Sequence, residues 1–275
     1  MDVFAAFIAP ALAGVFVGVM SGLLGVGGGT IMVPIFRLAF GMSPLASTAT
    51  SLFAIIPTSI SGVVAHARAK TCVPKLGLAL GVGGAVMSPM GVWLASVSPG
   101  WLVICVAAIV IGFSAFKMFK KAVKCAPAPR AGAASAHSAT PKPVPDQPVL
   151  SRKQYLQGVC IGLIAGLASG YVGVGGGFIM VPLMLAILDI PMSLASGTSL
   201  IAIMILAIPG VIEQGLLGNI DYLAGIAIVV GSIPGALVGA RLVRVVPERQ
   251  LRFIFGGFLL VAAVMLMLNE FGILG

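Results

Sequence analysis

The sequence predicts an all-α polytopic membrane protein made of two inverted-topology repeats, with broken or re-entrant helices at two glycine motifs. Three observations predict it. The first is composition: of 275 residues, 59% are hydrophobic and 8% charged, and mean hydropathy is +1.16. A soluble domain carries about 25% charged residues. The second is that the apolar runs are long and continuous, unlike the alternating strands of roughly ten residues that build an outer-membrane barrel. The third is a stretch written twice. Gly22-Leu-Leu-Gly-Val-Gly-Gly-Gly-Thr-Ile-Met-Val-Pro34 returns, at an offset of 148, as Gly170-Tyr-Val-Gly-Val-Gly-Gly-Gly-Phe-Ile-Met-Val-Pro182.

The elements follow in order. Apolar segments run over 3–21, 30–40, 46–65, 76–97 and 101–117, then 155–169, 178–188, 194–212, 222–243 and 253–270. The second five track the first five at the same offset. Ala49-Thr-Ser-Leu52 answers Gly197-Thr-Ser-Leu200, Gly62-Val63 answers Gly210-Val211, and Gly83 and Gly91 answer Gly231 and Gly239. The domain reading is therefore a first repeat over 1–117, a linker over 118–153 and a second repeat over 154–275. The linker is basic and rich in Pro and Ala. Eight of the sixteen Lys and Arg residues fall between Lys117 and Lys153, against one acid, Asp146. Such a stretch buries no core and marks the cytoplasmic side.

Charge then orients the rest. Arg68, Lys70 and Lys75 belong to an inside loop, as do Arg241, Arg244, Arg249 and Arg252. The turn at Ser98–Gly100 and the loop Glu213–Asp221 carry no Lys or Arg and read as outside. The second half leaves the cytoplasm at Lys153 and is back there by Asp189, so its glycine motif lies in a hairpin. Segments 30–40 and 178–188 are short for a span of about twenty residues and suit half-helices. Each half then changes side an odd number of times, which inverts one against the other. Arg37 is the exception, a cation near the outside. A net charge of +9 is explained by topology and not by nucleic acid. Cys72, Cys105, Cys125 and Cys160 have no ligand spacing, so neither disulfide, metal nor other cofactor is expected. The N-terminus lacks the basic region of a cleavable signal, so segment 3–21 is expected to be retained.

The glycine motif has the wrong surroundings for a Walker loop or a dinucleotide fingerprint, since no Gly-Lys-Ser/Thr follows and Thr30 and Phe178 stand in the last glycine's place. It reads either as a tight turn with close helix packing or as a binding site. In the second reading Gly27, Gly28, Gly29 and Thr30, with Gly175, Gly176 and Gly177, bare N–H groups at helix starts, where partial positive charge attracts anions. Broken helices at matching places in two halves are a pointer to a transport site. Thr50, Ser51, Thr198 and Ser199 either satisfy carbonyls on their own helix or line the same cavity. His66 and Glu213, at segment ends, are solvated groups or proton-coupling groups. No HExxH, GxSxG or intramembrane Asp pair is present, so no enzyme is expected.

The paired Gly-x-Gly-Gly-Gly segments with Ile-Met-Val-Pro, the Gly197-Thr-Ser-Leu200 stretch and Ile233-Pro-Gly-Ala-Leu-Val-Gly-Ala240 resemble the TauE/SafE family of anion transporters, across both halves. Val86-Met-Ser-Pro-Met-Gly91 is a looser version of the last motif. The resemblance implies a bacterial or archaeal inner-membrane carrier for sulfite, sulfonates or related organosulfur anions. The expected function is thus secondary transport of a small anion by alternating access, the alternatives being an anion channel or an accessory subunit. Expected partners are the anion, the bilayer, a coupling proton or sodium ion and a second copy of the chain.

Overall fold

The computed structural model describes residues 3–38, 40–124, 151–172 and 175–270. These form ten α-helices: α1 (Val3–Leu24), α2 (Gly29–Leu38), α3 (Pro44–Arg68), α4 (Pro74–Val97), α5 (Gly100–Lys124), α6 (Arg152–Val172), α7 (Gly177–Leu183), α8 (Met192–Leu216), α9 (Tyr222–Leu242) and α10 (Glu248–Glu270). A π turn, Met184–Leu188, continues α7. Five of the described helices are long and apolar enough to cross a membrane, over Leu45–Arg68, Pro74–Leu94, Arg152–Val172, Met192–Leu216 and Tyr222–Leu242. Large apolar side chains such as Phe16, Trp93, Ile109 and Leu223 are exposed, as lipid-facing ones are.

Helix starts are marked locally. Ser43 caps α3, its Oγ accepting from the Ala46 N–H at 3.2 Å, with Pro44 in the first turn. Asp221 does the same for α9, Oδ1 accepting from the Ala224 N–H at 3.0 Å. The expected linker begins later than its charges suggest. α5 stays helical to Lys124 because Met118 and Ala122, four apart, bury one face of its basic end. At the linker's other end Arg152 and Lys153 already belong to α6, and residues 125–150 of that segment lie outside the described residues.

At the centre α3 and α8 pack antiparallel, Leu52 lying by Gly210 and Leu200 by Gly62. α9 flanks α3, α4 flanks α8, and α5 pairs with α10. The tightest seams are between α1 and α9 and between α4 and α6. Gly14, Gly18 and Gly22 sit against the carbonyl oxygens of Ile228, Ser232 and Ala236; Gly162, Gly166 and Gly170 sit against those of Leu80, Gly84 and Ser88. Both sets rise in the same order, so each pair runs parallel. Adding 148 to the α1 positions and subtracting it from the α9 positions turns the first seam into the second, contact for contact. Small residues permit this approach, which in lipid supplies the packing that a hydrophobic driving force cannot.

Candidate functional site at the paired glycine breaks

α1 stops at Leu24 because the next residues leave helical space. Gly25, Gly27 and Gly28 have φ of +71°, +80° and +82°, a region that side chains with a Cβ resist. Gly175, before α7, has φ +73°. The start of α7 comes directly against the first break. A Cβ on Gly177 would lie 2.7 Å from the Gly25 carbonyl oxygen and 2.8 Å from the Val26 Cα, so the two breaks touch backbone to backbone. The side chains of Ile55 and Ile203 close on them: Ile203 reaches within 2.8 Å of a Cβ on Gly27, and Ile55 within 3.0 Å of one on Gly175. Both are fully buried, and each is the twelfth residue of a 25-residue helix. The breaks therefore meet midway along α3 and α8.

Thr50, Ser51, Thr198 and Ser199 are fully buried around this point, and their hydroxyls are engaged by backbone. The Thr198 hydroxyl donates to the Leu194 carbonyl at 2.6 Å and accepts from the Val73 N–H at 3.0 Å. Thr50 accepts from the Asp221 N–H at 3.0 Å. Val73 and Asp221 are themselves 148 apart, so each threonine staples the start of a neighbouring helix, α4 or α9. The single Ser199 hydroxyl hydrogen is shared between the Gly25 carbonyl at 2.6 Å and the Ser196 carbonyl at 2.8 Å, pinning the first break to α8. Ser51 donates to Thr48 at 2.9 Å. Its partner by repeat, Gly173, lies outside the described residues. Thr198→Val strands the Val73 N–H, and Thr50→Val the Asp221 N–H. Thr198→Val should lower stability by about 1–3 kcal/mol, the cost of a buried unpaired donor, and Thr50→Val by less, because Asp221 is exposed and its N–H can turn to water. Thermal unfolding in detergent measures this, and two unchanged midpoints would show that the staples carry no weight.

Free donors sit elsewhere. Ser21, Thr30 and Ser59 have buried hydroxyls without a hydrogen-bond partner. Ser21 lies in the last turn of α1 and Thr30 in the first turn of α2, so the two flank the first break; a Cβ on Gly28 would lie 3.7 Å from the Ser21 Cβ. An orphaned buried hydroxyl implies a missing partner such as water or an ion. Sequence reasoning picked Thr30 and missed Ser21, although Ser169 answers Ser21 at the repeat offset.

His66 is fully buried at the end of α3. Its Nε2 is 2.9 Å from the Gly22 carbonyl, which only accepts, so Nε2 carries hydrogen. Nδ1, 2.7 Å from Thr71 Oγ1, then accepts from that hydroxyl in the neutral ring. His66 thus ties the α3–α4 loop to the last turn before the first break. Gln214 and Asn219 stand at the offset positions and bond to each other at 2.8 Å. Glu213, half-buried, lies at the far end of α8. The His66 ring packs on Gly197, and sixteen residues of helix from there to Glu213 span about 24 Å, so the two are not one site.

A model of the sulfite exporter TauE/SafE family matches residues 10–266, which takes in both breaks, α2 to α9 whole, and most of α1 and α10. The chain belongs to the TauE/SafE family. It is a multi-pass membrane protein of a transporter family and not an enzyme. It is 26% identical to "Probable membrane transporter protein YunE" of Bacillus subtilis over 86% of this chain and 89% of that one. It is 29% identical to YdhB of the same organism, described in the same words, over the same shares. An archaeal relative, MJ0441 of Methanocaldococcus jannaschii, is 24% identical over 94% of each chain. No solved structure matches.

Proposed function

We propose that this TauE/SafE protein is a secondary transporter that moves a small anion, of the sulfite, sulfonate or related organosulfur class, across the cytoplasmic membrane by alternating access. The observation that carries the reading is the meeting of the two glycine breaks at mid-depth, with the unpartnered hydroxyls of Ser21 and Thr30 beside the first. Gly27–Gly29 and Gly175–Gly177 offer bare backbone there, and the start of α2 adds the partial positive charge of a helix end. A dehydrated anion would exchange water for N–H and O–H donors, each charge-assisted bond being worth about 1.5–3 kcal/mol. No fixed Lys or Arg is needed, and release stays possible because dipoles bind less tightly than a buried cation.

Alternating access suits two inverted repeats. The matched seams and the antiparallel α3–α8 pair support that arrangement, since repeat-related helices then run in opposite directions. Ile55 and Ile203, one from each repeat, would shut the site in the occluded state and part in turn on either side. His66 is the proton-coupling candidate with a geometric rationale: its ring holds the last turn of α1. Sodium coupling remains the other arm of the test.

The test is uptake by purified protein in liposomes, using radiolabelled sulfite and sulfoacetate with carboxylates as competitors. Saturable accumulation against the anion's own gradient, driven by an imposed proton or sodium gradient, is expected. Flux that only dissipates a gradient would indicate a channel, and none with any organosulfur anion or carboxylate would overturn the proposal. Cysteines placed near Pro99 and Gly218 should label from outside and those in the 125–150 linker should not. The opposite result would remove the assigned orientation.

A further inference from the structure

α1, α2 and α10 border a half-open cavity of about 630 Å³. Its wall is almost wholly apolar, with Phe16, Met20, Ile35, Phe258 and Met265 among the lining side chains; Thr30 is the exception. The cavity exists partly because the repeats differ here. Phe178, fully buried, occupies the position in the second half that Thr30 holds in the first. A wall of this kind offers nothing to a small hydrated anion. It does suit a hydrocarbon chain entering from the bilayer.

One end of the cavity is different. On α10 the lining residues Phe253, Gly257, Val261 and Met265 recur every four positions, which makes one helical stripe. One turn toward the helix start, the stripe continues at Arg249, whose guanidinium carbon lies 5.7 Å from the Phe253 ring centroid. Arg249 Nε is buried with no hydrogen-bond partner, and so is Arg252 Nε, although Arg252 also pairs with Glu248 at 2.6 Å. From Arg241 to Arg252 there are four arginines and a single acid, Glu248. An apolar slot thus ends at a guanidinium with an unsatisfied donor, at a helix end where headgroups lie.

We propose that this is a binding site for an anionic phospholipid, with one acyl chain in the cavity and the phosphate on Arg249. The guanidinium fork matches phosphate oxygens, and basic pockets between membrane helices on the cytoplasmic side are suited to anionic headgroups. A zwitterionic lipid fills the slot equally well but gives up net charge complementarity.

The experiment uses delipidated full-length protein in a maltoside detergent. It compares dioleoyl phosphatidylglycerol, dioleoyl phosphatidylcholine and inorganic phosphate by thermal midpoint and by lipid retention in native mass spectrometry. Phosphatidylglycerol should stabilise most and phosphate alone not at all. Arg249→Gln should lower phosphatidylglycerol retention about tenfold, to the phosphatidylcholine level, while Arg249→Lys keeps most of it. Gly257→Phe should abolish the response to both lipids. A Cβ there meets no atom within 4 Å, so the ring departs from the backbone into open space beside the slot. Equal responses to the two lipids in the wild type would overturn the proposal. So would full phosphatidylglycerol retention in Arg249→Gln or in Gly257→Phe. If Gly257→Phe instead abolished anion uptake and left lipid retention intact, the cavity would belong to the cargo.

Discussion

Gly177→Ala should reduce transport about a hundredfold while the protein still inserts and folds. The added methyl would lie 2.7 Å from the Gly25 carbonyl oxygen and 2.8 Å from the Val26 Cα. Cβ atoms do not approach so closely, and both obstacles are backbone, which cannot rotate away. One break must move from the other by on the order of 1 Å, a misplacement that at a reaction centre costs about 10²-fold. Gly177 opens α7, where an alanine is conformationally welcome, so overall stability should fall only modestly. Ile203 also lies near, at 2.6 Å from that Cβ, which supplies a control. Measured against Ile203→Ala alone, which removes a gating side chain, the Gly177→Ala, Ile203→Ala double variant should still lose uptake if the backbone clash is the cause. Rescue would assign the effect to side-chain crowding instead. Gly28→Val tests the first break, adding left-handed strain of about 1–3 kcal/mol at φ +82°. Uptake per inserted molecule, beside a thermal midpoint, separates lost function from lost protein. Normal uptake by both variants would sink the assignment of the breaks as the site.

Much of the helix order was legible because the duplication is. Once Gly22–Pro34 is matched to Gly170–Pro182, the broken segments and the partners Thr50/Thr198 and Ser51/Ser199 follow from one offset. One of the two readings of those hydroxyls, that they bond carbonyls of their own helix, describes Ser51, Thr198 and Ser199, but the bonds to other elements were not legible. Thr198 bonds to Val73, 125 positions away, and only the packing of α4 on α8 creates that contact. The seam from α1 to α9 was half visible: the small-xxx-small spacing announces a close approach but does not name the partner helix. The π turn at Met184–Leu188 left no trace, because its apolar run fits any helical period. The helical end of α5 was masked by its lysines, whose long stems tolerate a surface that Met118 and Ala122 anchor. His66 was singled out only as a titratable group at a segment end, and it is buried there rather than solvated. Its hold on Gly22 depends on α1 and α3 lying side by side, which no local pattern encodes.

The seams give the second large effect. Gly18→Ala and Gly166→Ala should each destabilise the protein by about 3 kcal/mol, whereas Gly112→Ala should stabilise it by up to about 1 kcal/mol. All three exchanges sit inside helices and remove the same excess backbone freedom, so propensity favours alanine at each. The difference lies in what the methyl meets. At Gly18 it runs into the Ser232 carbonyl and at Gly166 into the Gly84 carbonyl; at Gly112 it meets no atom within 4 Å. Neither seam can give locally, because a whole helix backbone stands opposite, with further glycine contacts above and below it. α1 must then separate from α9, or α6 from α4, and the dispersion of a long parallel interface is lost at once. The repeat relation sharpens the test, since Gly18 and Gly166 are the same position in the two halves and should cost similar amounts, and the double variant should cost their sum within about 0.5 kcal/mol. Unfolding in a fixed detergent reads all three. Midpoints for Gly18→Ala and Gly166→Ala as high as that of Gly112→Ala would mean these helices are not at backbone contact. A large cost in only one of them would break the equivalence of the halves on which the shared site rests.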